Sequence, residues 1–327
     1  MTMAGSRESV RQALRGVEEL GVAAALAALC VFFALTTDTF LSLDNLIKVV
    51  RQSSDYGIMA AGMVFVLTLG EVDLSVGSIL TLVNVLTAVA LREGAPPPVA
   101  LALGLLCGAA CGFANGLASV LLRIPTILVT LGTMSVYRGL ALVISKATPV
   151  SQFSKDNFIF DVLGGAAGRI PASVVAMIAI GCACHVLLQR SVFGRRVQAI
   201  GSSRQAARYS GIPIARYRLA VMTLSGTLAG LAGILALAFL QSADPKTGEG
   251  SELLVIASAV IGGTALSGGS GTILGAILGA LIIASIRNGL IQLGFTAYWN
   301  QTVIGGMIIT AVAVDSFVKR RKAAGGA

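Results

Sequence analysis

Charged residues are scarce in this chain. They make up 12% of its 327 residues, about half the usual share in a soluble domain, while 55% are hydrophobic and the mean hydropathy is +0.86. The apolar residues form runs of about 15 to 25, the length that a helix needs to cross about 30 Å of hydrocarbon. A soluble globular fold is therefore excluded. The continuous runs also exclude a β-barrel, whose strands alternate in short segments.

Residues that perform catalysis or bind metals are nearly missing too. His185 is the only histidine, and the five cysteines all fall within apolar runs, so neither a Ser/His/acid set nor a metal-ligand spacing can be assembled. No Gly-x-x-x-x-Gly-Lys-Ser/Thr sequence occurs, so the chain lacks a P-loop for ATP. We expect a non-enzymatic protein with no cofactor or metal of its own.

The apolar runs predict an all-α polytopic membrane protein of about ten helices. Of the 24 basic residues, 15 lie at the termini, at Arg123 or in the segment 189–218. The positive-inside rule places these residues and both termini in the cytoplasm. The net charge of +9 is then explained by topology, not by nucleic-acid binding. The predicted helices span 20–37, 52–69, 74–91, 98–120, 126–145, 171–188, 217–240, 252–267, 271–290 and 300–318.

This pattern predicts one folded domain. A cytoplasmic segment at 1–19 precedes a single transmembrane domain at 20–318, and a cytoplasmic tail follows at 319–327. Two connections within the domain are long: an outer loop at 146–170 and an inner loop at 189–216. No other segment is long enough to bury a core of its own.

Small residues recur at four-residue spacing in two of the predicted helices. Such faces let helix backbones approach closely, which is how helices associate in lipid. We interpret them as packing faces inside one subunit rather than as a dimer interface. The residues are Gly104, Gly108, Gly112 and Gly116 in the fourth helix, and Gly271, Gly275 and Gly279 in the ninth.

The inner loop contains the sequence "GSSRQAARYSGIP" at 201–213. Ser203 can cap a helix of about two turns from Arg204, and Gly211 with Pro213 can end it. A loop that only joins two spans has no need for these start and stop signals. Two interpretations are open: the helix fits a groove on a cytoplasmic partner, or it lies on anionic headgroups.

Two carboxylates, Glu71 and Asp73, stand between apolar runs in "LTLGEVDLSVGSILTLV" at 67–83. They are open to three interpretations: an ion site, a proton relay, or a tight reversal between two helices. The charge pattern places them on the inner side. We favour the reversal, with Asp73 accepting from free amides of the third helix and Gly70 and Gly77 supplying backbone freedom and close approach.

Four ordered blocks carry a resemblance to a known family. They are "GEVDLSVGS" (70–78), "IPTILVTLGTMSVYRGLALVIS" (124–145), "FGRRVQAIGSSRQAARYSGIPIARYRLAVMTLSGTLAGLAGIL" (193–235) and "GSELLVIASAVIGGTALSGGSGTILGAILGALI" (250–282). With these blocks the chain resembles the permease subunits of bacterial monosaccharide ABC importers of the ribose, xylose and arabinose type. The resemblance covers nearly the whole chain.

The resemblance implies the fold of an ABC importer permease and a multi-pass location in the bacterial inner membrane. It also implies three partners within or beside the lipid bilayer. These are a second permease copy or close relative, a cytoplasmic ATPase that binds ATP and Mg, and a periplasmic binding protein that delivers the sugar. No nucleic-acid partner is expected.

The resemblance also assigns roles to residues. It makes 201–212 the helix that couples the ATPase to the membrane helices, and it makes 70–78 a shared reversal motif. Related permeases commonly have glycine where this chain has Glu71, so we interpret Glu71 as local variation, exposed to water or lining the inner gate. The coupling residues are Gly201, Ser203, Arg204, Ala207, Arg208 and Gly211, and the reversal residues are Gly70, Asp73, Ser75 and Gly77.

A sugar pathway needs hydrogen-bonding groups in moderation, because tight binding would stall release. Polar residues inside the apolar spans fit this need, and they fit contacts between helices as well. The candidates are Thr81, Asn84, Asn115, Arg138 and Asn288. For docking of the binding protein, the candidates are Lys155 and Asp156 in the outer loop, with 241–252 as a second outer segment.

Two alternatives remain beside sugar import. The same machinery could carry a nucleoside, a branched-chain amino acid or a sugar-like signal molecule. An ion-coupled secondary transporter would instead use Glu71 and Asp73 as coupling sites and would need no ATPase. The capped basic helix in the inner loop argues against this second alternative.

Overall fold

The computed structural model describes residues 3–151, 153, 158–296 and six positions between 299 and 309. Helices dominate these residues, and the two short strands form one small antiparallel pair. The elements are α1 (Met3–Thr36), α2 (Leu43–Thr68), α3 (Val76–Arg92), α4 (Pro97–Leu121), α5 (Thr126–Ser145), α6 (Phe158–Val162), β1 (Ala166–Ala167), β2 (Ile170–Pro171), α7 (Ala172–Arg190), α8 (Val192–Ser202), α9 (Arg204–Tyr209), α10 (Ile214–Leu240), α11 (Ser251–Ile261) and α12 (Ile273–Gln292).

Nine of the ten predicted membrane helices have a counterpart among the described residues. Within those residues, six helices are long and apolar enough to cross a membrane: the part of α1 from Glu19, and α4, α5, α7, α10 and α12. The tenth predicted helix, at 300–318, lies mostly outside the described residues, as does the tail at 319–327. The chain is thus a polytopic helical membrane protein.

The prediction for 252–267 was wrong at its C-terminal end. α11 stops at Ile261, where the Gly262 amide donates to Ser258 O and closes the helix. Its 11 residues extend about 16 Å, roughly half of the hydrocarbon thickness. A non-helical segment, 262–272, continues to α12. Such backbone is tolerated at membrane depth only where it is buried in protein or lines a water-filled cavity. Here Gly262, Thr264, Gly271 and Thr272 are buried, and Ser267 lines an open cavity.

The core lies around α2 and α10. Every residue from Gly57 of α2 to Leu69, the residue after that helix, is buried. α10 is buried along most of its length. The neighbours of α2 include α7, α10, α11 and α12, and those of α10 include α3 and α4. α2 and α10 thus form the centre of the helical bundle.

The predicted small-residue faces are confirmed as packing within this chain, except that Gly271 precedes α12 and lies in the non-helical segment 262–272. A Cβ added at Gly112 would lie 2.2 Å from Met222 O of α10, and one added at Gly108 would lie 2.7 Å from Gly226 O. In α12, Gly275 meets Gly262 O and Gly279 meets Ser258 O just as closely. These distances leave no room for a side chain, so the backbones of α4 and α10 are in direct contact.

Candidate functional site

The predicted coupling helix is present as α9 (Arg204–Tyr209). Ser203 is its N-cap, and its hydroxyl accepts from Ala206 N at 3.2 Å. Gly211 has φ +73° and takes the left-handed conformation that ends the helix. Both local signals are therefore confirmed. Ala207 is buried and fixes α9 against the bundle, while Arg208 is exposed.

Gly201 does not belong to this helix. It lies in the last turn of α8, an amphipathic helix that the sequence analysis missed. Ser191 caps α8, accepting from Gly194 N at 3.0 Å, and every third residue from there is buried: Gly194, Val197 and Ile200. The cap and the spacing of these residues were a usable signal for the helix.

Gly201 instead lies where three backbone segments meet. A Cβ at this position would clash with Thr68 O at the end of α2 and would lie 2.5 Å from Gly269 N. Gly269 N also donates to Thr68 O at 2.8 Å, and a Cβ at Gly268 would lie 3.0 Å from the Gly70 Cα. α8, the α2–α3 connection and the segment 262–272 thus touch through glycines. We call this contact the glycine junction.

Glu71 is not exposed to water, so that part of the prediction was wrong. It is 8% exposed, and its Oε1 lies 2.7 Å from Nη2 of Arg204 and 2.7 Å from Nη2 of Arg218. Arg204 also donates to Gly70 O at 3.1 Å, and Arg218 donates to Ser119 Oγ of α4 at 3.2 Å. The carboxylate therefore joins α9 to α10 and, through Arg218, to α4.

An open cavity of about 960 Å³ lies beside this ion-pair network. Glu71 lines it together with four arginines, so its charge is positive overall. It lies on the predicted cytoplasmic side, between α9 and the connection from α4 to α5. The arginines are Arg123, Arg204, Arg208 and Arg218.

Asp73, which was predicted to lie on the inner side, is fully buried within the protein. Its Oδ1 accepts from Ser75 N at 2.9 Å and from Ser75 Oγ at 2.7 Å. Its Oδ2 accepts from Ser225 Oγ at 3.2 Å, and Ser225 lies about 16 Å along α10 from the start of that helix. Ser75, not Asp73, is the N-cap of α3, so Asp73 organises the turn that precedes the helix.

The Asp73 turn continues into a chain of hydrogen bonds. Asn115 of α4 donates from Nδ2 to Ser75 Oγ at 2.8 Å and accepts from Tyr137 of α5 at 3.0 Å. Tyr137 also donates to Cys111 O at 3.0 Å. Buried polar groups that are paired in this way hold helices together in lipid. Asn115 therefore links α3, α4 and α5.

The other candidate pathway residues also contact neighbouring segments. Thr81 accepts from Gly248 N at 3.0 Å, and Asn84 donates to Gly233 O at 3.1 Å. Asn288 exchanges two hydrogen bonds with Asn45, at 2.9 and 3.0 Å. Arg138 is 30% exposed and lies 4.0 Å from Glu249. The first three hold segments together in this conformation, and a place on the pathway stays a prediction for all the candidates.

The two predicted docking residues, Lys155 and Asp156, lie outside the described residues. The two outer segments that were proposed for docking nevertheless lie side by side. Val150 and Ala243 exchange both backbone hydrogen bonds at 2.9 Å. The described part of the first segment around Val150 thus lies against the second segment at Ala243.

Several residues of the network had no local signal in the sequence. Ser225 and Tyr137 look like ordinary residues of apolar helices, and Ser119 like any small residue. In the sequence, Arg218 contributed only to the count of basic residues that predicts the cytoplasmic side. The one available clue was that Glu71 is an acidic residue predicted to lie on the side rich in arginine.

Comparisons with known proteins agree with this architecture. The family model described as "Branched-chain amino acid transport system / permease component" matches residues 45–312. A probable ABC transporter permease protein, YphD of Escherichia coli (strain K12), is 37% identical over 97% of this chain and 95% of its own length. No solved structure matches significantly.

Two further relatives have names that state a sugar. The ribose import permease protein RbsC of Bacillus subtilis (strain 168) is 38% identical over 91% of this chain and 93% of its own length. The D-allose transport system permease protein AlsC of Escherichia coli (strain K12) is 37% identical over 89% of each chain. The family model covers most of the chain, and the relatives cover nearly all of it. This chain therefore belongs to the family of permease components of the branched-chain amino acid transport system type.

Proposed function

We propose that this chain is the transmembrane permease subunit of an ATP-binding-cassette importer for a monosaccharide. The observation that carries the proposal is the identity of 37 to 38% with permeases named for ribose and D-allose, along about nine-tenths of the chain. The capped helix α9 supports it, because a short rigid helix beside the membrane can fit a groove on a cytoplasmic partner.

In this proposal the chain has no catalytic site of its own. A separate cytoplasmic ATPase binds ATP and Mg and docks on α9, a periplasmic binding protein delivers the sugar, and a second permease copy or close relative completes the pathway. The location is the bacterial inner membrane, with both termini in the cytoplasm. ATP drives the cycle by binding one of the two conformations of the complex more tightly than the other.

A second candidate cargo is a branched-chain amino acid, which the description of the family model favours. Ion-coupled transport has less support. A coupling carboxylate must be free to exchange a cation, yet Glu71 faces two guanidinium groups at 2.7 Å. Two fixed positive charges at this distance repel a third cation.

The test is a cargo screen followed by reconstitution. The partner binding protein is screened against D-ribose, D-allose, D-xylose, leucine and a nucleoside. The complete complex in proteoliposomes is then supplied with the labelled ligand. We expect sugar uptake that requires ATP and the binding protein and is unchanged by a protonophore. Selective leucine binding would favour the second cargo, and uptake driven by an ion gradient without ATP would contradict the proposal.

A further inference from the structure

We propose that Glu71 is a positioning residue that joins the coupling helix α9 to the α2–α3 connection and to α10. A displacement of α9 would then move these elements together. The inference rests on the proposed function, because it concerns how motion of the ATPase reaches the membrane helices. It assigns a role to a carboxylate that the sequence analysis interpreted as local variation.

The first argument is geometric. One oxygen of Glu71 lies 2.7 Å from a guanidinium nitrogen at the start of α9 and 2.7 Å from another near the start of α10. Glu71 lies three positions after the end of α2, and its amide donates to Val66 O of that helix at 3.0 Å. A single side chain therefore contacts α9 and α10 from a backbone position that is fixed to α2.

The second argument concerns burial. The side chains of Glu71 and Arg218 are 7% and 17% exposed, whereas that of Arg204 is 48% exposed. A charge pair that is mostly buried is weakened less by salt than an exposed pair, and its side chains are more confined. The ion pair between Glu71 and Arg218 is thus the more rigid of the two. The ion pair between Glu71 and Arg204 is the one that can break, which would let α9 separate from the α2–α3 connection.

The third argument is that the backbone segments beside the ion pairs are in direct contact with each other. At the glycine junction, Gly201 touches Thr68 O, and the Gly269 amide donates to that same oxygen at 2.8 Å. Interfaces packed this closely shift between discrete arrangements and do not deform continuously. Movement of α8 and α9 therefore reaches both the α2–α3 connection and the segment 262–272.

The fourth argument is the charge balance. Both guanidinium groups lie on the same carboxylate oxygen, so their Nη2 atoms are within about 5 Å of each other. Without the negative charge of Glu71, the two groups would repel each other across the boundary between α9 and α10. Neutralising Glu71 would therefore loosen α9 more than a lost surface ion pair would.

The experiment measures labelled sugar imported per ATP hydrolysed in proteoliposomes that hold the complete importer. It compares the wild type with Glu71→Gln, Arg204→Gln and the double variant. The probe is D-ribose, or the ligand that the binding-protein screen selects. The matched control is Glu93→Gln, which removes a carboxylate from an exposed pair with Arg92.

We expect Glu71→Gln to keep basal ATP hydrolysis while the import per ATP falls about tenfold. Glu93→Gln should match the wild type. The double variant should lose no more than the worse single variant, because both substitutions remove the same contact. Glu71→Asp, which keeps the charge on a shorter side chain, should restore part of the ratio.

Two results would overturn the inference. One is that Glu71→Gln imports as much sugar per ATP as the wild type. The other is that the fold-losses in this ratio for the two single variants multiply in the double variant. If the importer with Glu71→Gln fails to assemble, Arg204→Gln tests the inference instead. The Arg204 side chain is half-exposed, so it can be replaced without disturbing the packing of the core. A wild-type ratio in Arg204→Gln would then overturn the inference. Failure of the wild type to import any sugar counts against the proposed function alone, because the ratio can be measured with whichever cargo is found.

Discussion

At the scale of single residues, buried polar side chains connect helices that apolar packing alone would leave free to slide. Asn115 is fully buried and joins the turn before α3 to Tyr137 of α5. In lipid such a group has no water to bond if its partner is lost. Each member of the chain from Asp73 to Tyr137 therefore depends on the next.

This dependence predicts a graded loss of stability. Tyr137→Phe removes one donor and should lower the free energy of unfolding by about 0.6 to 1.5 kcal/mol. Asn115→Ala removes both bonds, so that the Ser75 hydroxyl keeps only Asp73 and the Tyr137 hydroxyl keeps only Cys111 O. It should cost about 1 to 3 kcal/mol. Thermal unfolding of the purified permease in detergent measures both variants. Equal stability of Asn115→Ala and the wild type would show that the network contributes nothing.

At the scale of helices, the closest contact is the one between α4 and α10. The glycines on both helices bring the backbones together, so the attraction between them comes from packing of main-chain atoms. The same device joins α12 to α11 and to the segment 262–272. Because these contacts have no side chain between them, they tolerate no added volume.

Two alanine substitutions test this contact. Gly112→Ala places a methyl group 2.2 Å from Met222 O, so α4 and α10 must separate, and we expect a loss of about 1 to 3 kcal/mol. Gly132→Ala in α5 is the matched control, since nothing lies within 4 Å of its added Cβ. It should be neutral or stabilising by up to about 1 kcal/mol, because alanine favours the helix. Chemical unfolding of both variants in detergent provides the measurement, and equal losses would contradict the packing argument.

At the scale of the whole molecule, the predicted cytoplasmic side carries the parts that we propose move together. α9, the glycine junction and the positively charged cavity all lie there, and the buried helices α2 and α10 run from that side into the core. The opposite side holds the paired outer loops at Val150 and Ala243. An ATPase on one side and a binding protein on the other would thus act on the same two central helices.

A charge reversal on α9 tests whether this side receives the ATPase. Arg208 is exposed and points into the cavity without a described acidic partner, so Arg208→Glu should leave the permease folded but abolish stimulation of the ATPase by the loaded binding protein. Arg92→Glu, at the opposite end of α3 from the Asp73 turn and on the predicted outer side, is the control and should leave stimulation unchanged. Stimulation at the wild-type level in Arg208→Glu would remove α9 from the docking surface.

The sequence by itself determined the features that depend on neighbours along the chain. The apolar runs predicted nine of the described helices, and most of the predicted helix ends lie within three residues of the observed ones. This is because burial in lipid directly selects apolar residues. Ser203 and Gly211 predicted α9, because caps act within one turn. The four-residue spacing of Gly104 to Gly116 predicted close packing, because it places small residues on one helix face.

Only the tertiary structure decided the partners of Glu71 and Asp73. Arg204 lies 133 residues from Glu71, and Ser225 lies 152 residues from Asp73. No local signal specifies such pairs, since side chains meet there only after the helices between them have packed. The same reason explains the early end of α11, where contact of Gly262 with Gly275 replaces another turn of helix. The carboxylates that looked alike in the sequence therefore differ in role: Asp73 shapes a turn, and Glu71 joins helices.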